Sequence, residues 1–241
     1  MERSAERSGR LLSQTIGVAR QRGELALIAS LPHHDLAYAQ AALRGGAHAL
    51  KVHFGLTHRA SGKVAPSLHV QREVIPRLRD LAPGLPIGAV LGSNVSHVEQ
   101  ALDLAVELGI DFVSGYAHAL PASIFEADVE VLLAFDDRTP LDWAAALPQG
   151  AMLEASVVPH TQYGEPMTAA DLLLLGRLRA ATSAPLIMPT QKRLTAGDLR
   201  LLKRVGVDAL MYGVIVTGEA AEGFERVAQQ FRSVFAGPEP G

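Results

Sequence analysis

The hydrophobic positions of this chain follow two alternating rhythms. Short apolar runs recur at Glu24–Ser30, Ala47–Phe54, Pro86–Gly92, Asp111–Tyr116, Val129–Phe135, Ala151–Val158, Pro185–Met188 and Val207–Gly213. Their length and their glycine and proline borders predict strands. Between them apolar residues fall three and four apart, which is helical spacing. These stretches are Leu36–Arg44, Leu68–Leu81, Val95–Leu108, Ala122–Glu126, Leu141–Ala146, Ala169–Thr182 and Thr195–Val205. Ala220–Phe235 predicts a last helix, with Phe224, Val227, Phe231 and Val234 along one face, and Leu11–Gln21 a short first one. Several helices stop at glycine just before the next strand, at Gly45–Gly46, Gly109 and Gly206, as expected of a helix C-terminus.

Eight strands, each followed by a helix-like stretch, predict a single α/β domain, a (β/α)8 TIM barrel. The barrel is expected over residues 23–235, after a short helical N-terminal extension (1–22, with 1–8 loose) and before a flexible Pro/Gly tail (236–241). An open doubly wound sheet would carry Gly-x-Gly-x-x-Gly after its first strand, where this chain reads SLPHHD. No linker-like stretch divides the 241 residues.

Composition narrows the chemistry. The chain has no cysteine, so disulfides, thiolate metal sites and cysteine nucleophiles are excluded. A formal net charge of −3 argues against nucleic acid as a partner. Residues 1–23 mix acid and base without an apolar core, so neither signal peptide nor membrane span is expected there. The expectation is a cytoplasmic protein without a membrane partner.

In a barrel, alternate strand residues face the interior, and active sites lie at the carboxyl ends of the strands. Along the second strand Leu50, Val52 and Phe54 suit the helices, which turns Lys51 and His53 inward. Along the sixth, Leu153, Ala155 and Val157 face out, leaving Glu154 and Ser156 inward. A buried lysine is costly unless paired or functional. Lys51 and Glu154 therefore read either as an acid/base pair acting on one ligand or as an ion pair; His53 and Asp136, on the inward phase of its strand, join them as catalytic candidates. Ser30, His33, Tyr116, His118 and His160 are candidate substrate contacts. Asp35, beside His33 and His34, suits a helix N-cap. Without a His-x-His or His-x-x-x-His pair on one element, no metal site is assigned.

Three loops stand out. Thr190–Arg193 is a polar, doubly basic turn after the seventh strand, and Gly213 follows the eighth. Those two loops commonly form a barrel's phosphate site. Gln191, Lys192, Arg193, Gly213 and Val214 are the phosphate-binding candidates, with Val214–Gly218 opening a short extra helix. Gly55–Pro66 carries Thr57, His58, Arg59 and Lys63 and reads either as a lid over an anionic substrate or as a mobile solvated loop. Pro159–Pro166 offers His160, Gln162 and Tyr163.

With these motifs placed, the chain resembles phosphate-binding barrels of the ribulose-phosphate-binding type, most nearly the N-acetylmannosamine-6-phosphate epimerase group. The resemblance rests on Leu25–Ser30 with AALRGGA (41–47), on ELGIDFVSGY (107–116) and on GVDALMYG (206–213). It implies a barrel with a phosphate-binding end. The family's catalytic lysine follows the third strand, where this chain has GAVLGSN; its glutamate ends the seventh, where this chain has MPTQKR. Neither transfers.

The first expectation is an isomerase, epimerase or lyase on a small phosphorylated metabolite, with no cofactor. The second is an oxidoreductase dependent on flavin mononucleotide (FMN). The third is a non-catalytic phosphometabolite-binding barrel. The expected partner is the small phosphorylated substrate, and homo-oligomer formation is left open.

Overall fold

The structure, a computed structural model, describes residues 11–236. The expected loose residues 1–8 and the end of the tail (237–241) lie outside the described residues. Eight parallel strands close a barrel. They are β1 (Ala26–Ser30), β2 (Ala49–His53), β3 (Ile87–Val90), β4 (Phe112–Tyr116), β5 (Glu130–Phe135), β6 (Met152–Ala155), β7 (Leu186–Pro189) and β8 (Ala209–Tyr212). Each neighbours its successor, and β8 returns to β1. The fold is the (β/α)8 TIM barrel that the alternation predicts.

The helices are α1 (Leu12–Gln21), α2 (Leu36–Arg44), α3 (Val74–Leu81), α4 (Val95–Glu107), α5 (Ala169–Ala181), α6 (Ala196–Val205), α7 (Val214–Thr217) and α8 (Ala221–Ser233). Short polar residues start several of them. Asp35 caps α2 and Asn94 caps α4, while Thr168 with Asp171 and Thr195 with Asp198 form capping boxes on α5 and α6. Each cap satisfies N–H groups that a helix start leaves unpaired. Gly206 ends α6 at φ 95°, a conformation that favours glycine.

Three local expectations change. Residues 68–73 form turns rather than the start of α3; Val70 and Gln71 donate back to Ser67, and Gln71 also bonds the His34 ring at 2.9 Å. Ala122–Glu126 and Leu141–Ala146 are 3₁₀ turns. Each starts at a proline and has too few residues for a sustained α-helical ladder. The third is the loop after β2, where Leu56–Thr57 pairs with Val64–Ala65 as an antiparallel hairpin.

The interior is built in layers of four side chains from alternate strands. The lowest is Ala49, Phe112, Met152 and Ala209, and above it come Ile28, Leu132 and Ile187 with Gly88. A Cβ at Gly88 would run into the Phe112 ring, so glycine there makes room for the aromatic side chain. Leu12, Ile16 and Ala19 of α1 close the base. Glu130 holds that helix in place by accepting from the Leu12 N–H at 2.5 Å and the Ser13 N–H at 3.2 Å.

Two matching braces stand four strands apart. Asp111, entering β4, accepts from the Ile87 N–H (2.9 Å) and from Arg79 of α3 (2.5 Å). Asp208, entering β8, accepts from the Leu186 N–H (2.9 Å) and from Arg179 of α5 (3.1 Å). The halves of the barrel are therefore tied alike, and β4 and β8 occupy equivalent places on opposite sides.

Candidate functional site

The third interior layer breaks the apolar rule. It comprises Lys51 of β2, Ser114 of β4, Glu154 of β6 and Met211 of β8. Lys51 Nζ donates to Ser114 Oγ at 3.0 Å, to Glu154 Oε2 at 3.1 Å and to Met211 Sδ at 3.1 Å. Ser114 Oγ donates in turn to Glu154 Oε2 at 2.7 Å. The Lys51 and Glu154 side chains are only 5% and 8% exposed. All three ammonium protons thus have partners, whereas Oε1 of Glu154 accepts from no described residue.

Above this layer opens a cavity of about 330 Å³ at the carboxyl end of the strands. The next side chains up, Ser30, Val90, Ala134 and Pro189, then His53, Tyr116, Ser156 and Gly213, form its walls. The register puts the members of each set level, with Ser30 opposite Lys51 and Ala134 opposite Glu154. His118, Thr190, Gln191, Val214 and Ile215 complete the rim.

The hairpin after β2 is the roof. Its His58 ring lies 4.3 Å from that of His53. The Arg59 guanidinium sits 5.2 Å from the Tyr116 ring centre, with the Tyr163 hydroxyl close by. The Arg59 carbonyl accepts from His160 Nε2 at 3.3 Å. The roof is therefore fastened across the barrel to the loop after β6, and it holds in one closed arrangement what the sequence reads as a lid or a mobile loop.

Both roof-side histidines are neutral at pH 7. Burial pushes His53 well below the usual imidazole range, and His58 and Lys51 beside it push the same way. Its Nδ1 lies 3.2 Å from the Leu31 carbonyl, so the proton sits on Nδ1 and Nε2 is left as an acceptor. Burial and then Lys51 lower His58 to about 4. Burial raises the Tyr116 phenol; its ring stacks on His118, and its hydroxyl lies 3.4 Å from Ser156 Oγ.

Of the residues singled out from the sequence, Ser30, Lys51, His53, Tyr116, His118, Glu154, Gln191, Gly213 and Val214 converge on the cavity. Gln191 is fixed there by donating to Ser156 Oγ (3.0 Å) and the Tyr163 hydroxyl (2.6 Å).

Five others do not line it. Asp136 folds back on its own turn, accepting from the Arg138 N–H and the Thr139 hydroxyl. His33 packs edge-on against Tyr38, and His160 lies outside, under the roof loop. Lys192 is 1% exposed, with its ammonium 3.0 Å from Gln162 Oε1, 3.6 Å from Glu165 and 4.0 Å from Asp171. Arg193 is exposed, in a bridge to Pro166. Lys192 thus spends its charge on tying loops together, because acids from the neighbouring loop and from α5 reach it first. Among the described residues no three His, Asp or Glu side chains gather as a metal-binding group, and no helix is long and apolar enough to cross a membrane.

The inward phase of their strands singles out Ser114 and Ser156, and Arg59 belongs to the loop that reads as a lid over an anionic substrate. Met211, on the same inward phase of its strand, is not singled out, and only the roof's closure puts Arg59 over Tyr116.

No family model matches the chain. Over 159 residues it is 33% identical to ribonuclease J of Mycolicibacterium smegmatis, a match covering 65% of this chain but about a quarter (25%) of that protein's length. Among solved structures, thiamine phosphate pyrophosphorylase of Pyrococcus furiosus superposes with a TM-score of 0.61 at 16% identity, over 89% of this chain and 97% of that one. Tryptophan synthase of Mycobacterium tuberculosis gives 0.67 at 12% identity over 94% and 98%. The YdjI aldolase of Escherichia coli K12 gives 0.62 at 14% identity over 93% and 96%. At such identities the likenesses establish the architecture alone, and that architecture is the TIM barrel.

Proposed function

We propose that this chain is an enzyme that moves a proton next to the carbonyl group of a small phosphorylated metabolite, as an isomerase, epimerase or lyase. The polar layer Lys51–Ser114–Glu154 carries this reading. A buried ion pair is generally no more stable than apolar filling of the same space, and the layers beneath are filled with apolar side chains. The exception occurs at the carboxyl end of the strands, where barrels of this kind do their chemistry. A cavity of about 330 Å³ lies at the small end of ligand sites and suits a metabolite of a few carbons. The similar barrels include a thiamine phosphate pyrophosphorylase and an aldolase. The short motifs that resemble the N-acetylmannosamine-6-phosphate epimerase group support the phosphate-binding end alone.

The phosphate sits at the rim of β7 and β8, among Thr190, Gln191 and the Gly213–Ile215 backbone. A Cβ on Gly213 would come within 3.3 Å of the Ser30 carbonyl, so glycine lets the end of β8 lie close against β1. Glu154 Oε1 takes the proton from the carbon beside the carbonyl. The electron pair moves to the carbonyl oxygen, where the Lys51 ammonium offsets the developing charge. His53, neutral with Nε2 unprotonated, accepts and returns the proton of a neighbouring hydroxyl.

Wash-in of solvent deuterium tests this reading. A panel of phosphorylated hydroxy-aldehydes and hydroxy-ketones is incubated with the protein and followed by NMR. Exchange at one carbon is expected, falling at least about 100-fold in Glu154→Gln with the circular dichroism spectrum unchanged. If compounds bind but none exchanges, the protein is a binding barrel and the enzymatic reading is wrong.

A further inference from the structure

Building on that reading, we propose that the substrate is a small bis-anion, with its phosphate at the β7–β8 rim and a second anionic group, carboxylate or phosphate, held by Arg59. The charges around the cavity lead there. Lys51 is matched by Glu154 at 3.1 Å, and burial keeps His53 and His58 neutral. Among the described residues Arg59 enters no ion pair; Asp136, the acid whose field reaches it, pairs with Arg138 at 3.3 Å. The cavity therefore carries one surplus positive charge, and it sits on the roof.

The location of that charge matters more than its presence. Arg59 lies over the Tyr116 ring, at the carboxyl end of β4. In the closed order β4 stands four strands from β8, on the opposite wall from Gly213. Lys51 on β2 and Glu154 on β6 face each other along the crossing axis. A molecule stretched from Gly213 to Arg59 places its middle carbons over the Lys51–Glu154 pair. Tyr116 and Tyr163 orient the guanidinium, leaving other N–H donors of its planar fork for an incoming anion.

The experiment compares ligands that differ only at the second end. Phosphoglycolate and a short-chain bisphosphate carry the second anion; glycerol phosphate carries a hydroxyl instead. Affinities are measured by calorimetry on the wild-type chain, Arg59→Met and Gly213→Val. Wild type is expected to prefer at least one bis-anion tenfold or more over glycerol phosphate, and the preferred one shows whether the second group is carboxylate or phosphate. Arg59→Met should remove that preference while holding glycerol phosphate within about twofold; Gly213→Val should weaken all three. Equal weakening of all three by Arg59→Met would mean that the arginine only holds the roof, and would overturn the proposal, as would an unchanged preference. If no phosphate compound binds wild type, the phosphate reading itself fails and takes this proposal with it.

Discussion

The Lys51–Glu154 pair yields the sharpest energetic test. Two unit charges 3.1 Å apart attract by roughly 5 kcal/mol at an effective dielectric of about 20, and desolvation of both groups opposes that gain. Removing one partner leaves the other buried without a countercharge, at a cost of about 3–5 kcal/mol. Lys51→Met or Glu154→Met alone should therefore lower stability by about 3 kcal/mol or more, or roughly 6–12 °C in Tm for a domain of this size. The double variant should recover most of this loss. Methionine already packs within the layer at Met211 and below it at Met152; the Ser114 hydroxyl would lose its partners, worth about 1 kcal/mol, and the Met211 sulfur only a weak one. Urea denaturation followed by far-ultraviolet circular dichroism measures all four corners of the cycle. The expected coupling is about 5 kcal/mol, with the denaturant slope unchanged. Single losses below about 1 kcal/mol that simply add in the double variant would refute the reasoning. The cavity above would then hydrate the layer well enough that neither charge needs the other.

Acid should loosen the molecule through the roof-side histidines. His58 falls to about 4 when folded, through burial and then Lys51, against about 6.5 unfolded. The unfolded chain therefore binds more protons between those values. The contribution is fully present above about pH 6.5 and is lost as pH falls toward 4, up to roughly 3 kcal/mol. His58→Gln should flatten the dependence of Tm on pH across that window, and an unchanged slope would count against the closed roof. At the outer face of β8, the Tyr212 hydroxyl is buried with no hydrogen-bond partner among the described residues. Tyr212→Phe should leave stability unchanged or raise it by about 1 kcal/mol in the same denaturation assay; a loss larger than that would reveal a partner for the hydroxyl.

Much of this was legible in one dimension. Leu50, Val52 and Phe54 alternate with Lys51 and His53, and the strand's two-residue period assigns the polar pair to the interior without reference to any other strand. The same rule places Glu154 and Ser156. Asp35 caps its helix, as its side chain suggests, by accepting from the Ala37 N–H at 2.9 Å. Asp136 shows the limit of the rule: it follows the inward phase but lies just beyond β5, where Thr139 and Arg138 are close enough to take it out of the ladder's direction. The 3₁₀ turns show a second limit, since helical spacing over five or six residues does not distinguish i+3 from i+4 bonding.

What the sequence determined by itself was therefore local: eight strands, their inward faces, most of the helices and the cap at Asp35. Each depends on neighbours a few residues away. The tertiary structure decided which groups share their charge. Lys51 and Glu154 are 103 residues apart and meet because the barrel closes. Lys192 looked ready for a phosphate, yet Gln162, Glu165 and Asp171 reach it first. The sequence puts Arg59 on a loop that is either a lid or mobile, and only the closed hairpin carries it over Tyr116. Electrostatic energy depends on distance in space and on burial, and a linear pattern of residues specifies neither until the chain has closed on itself.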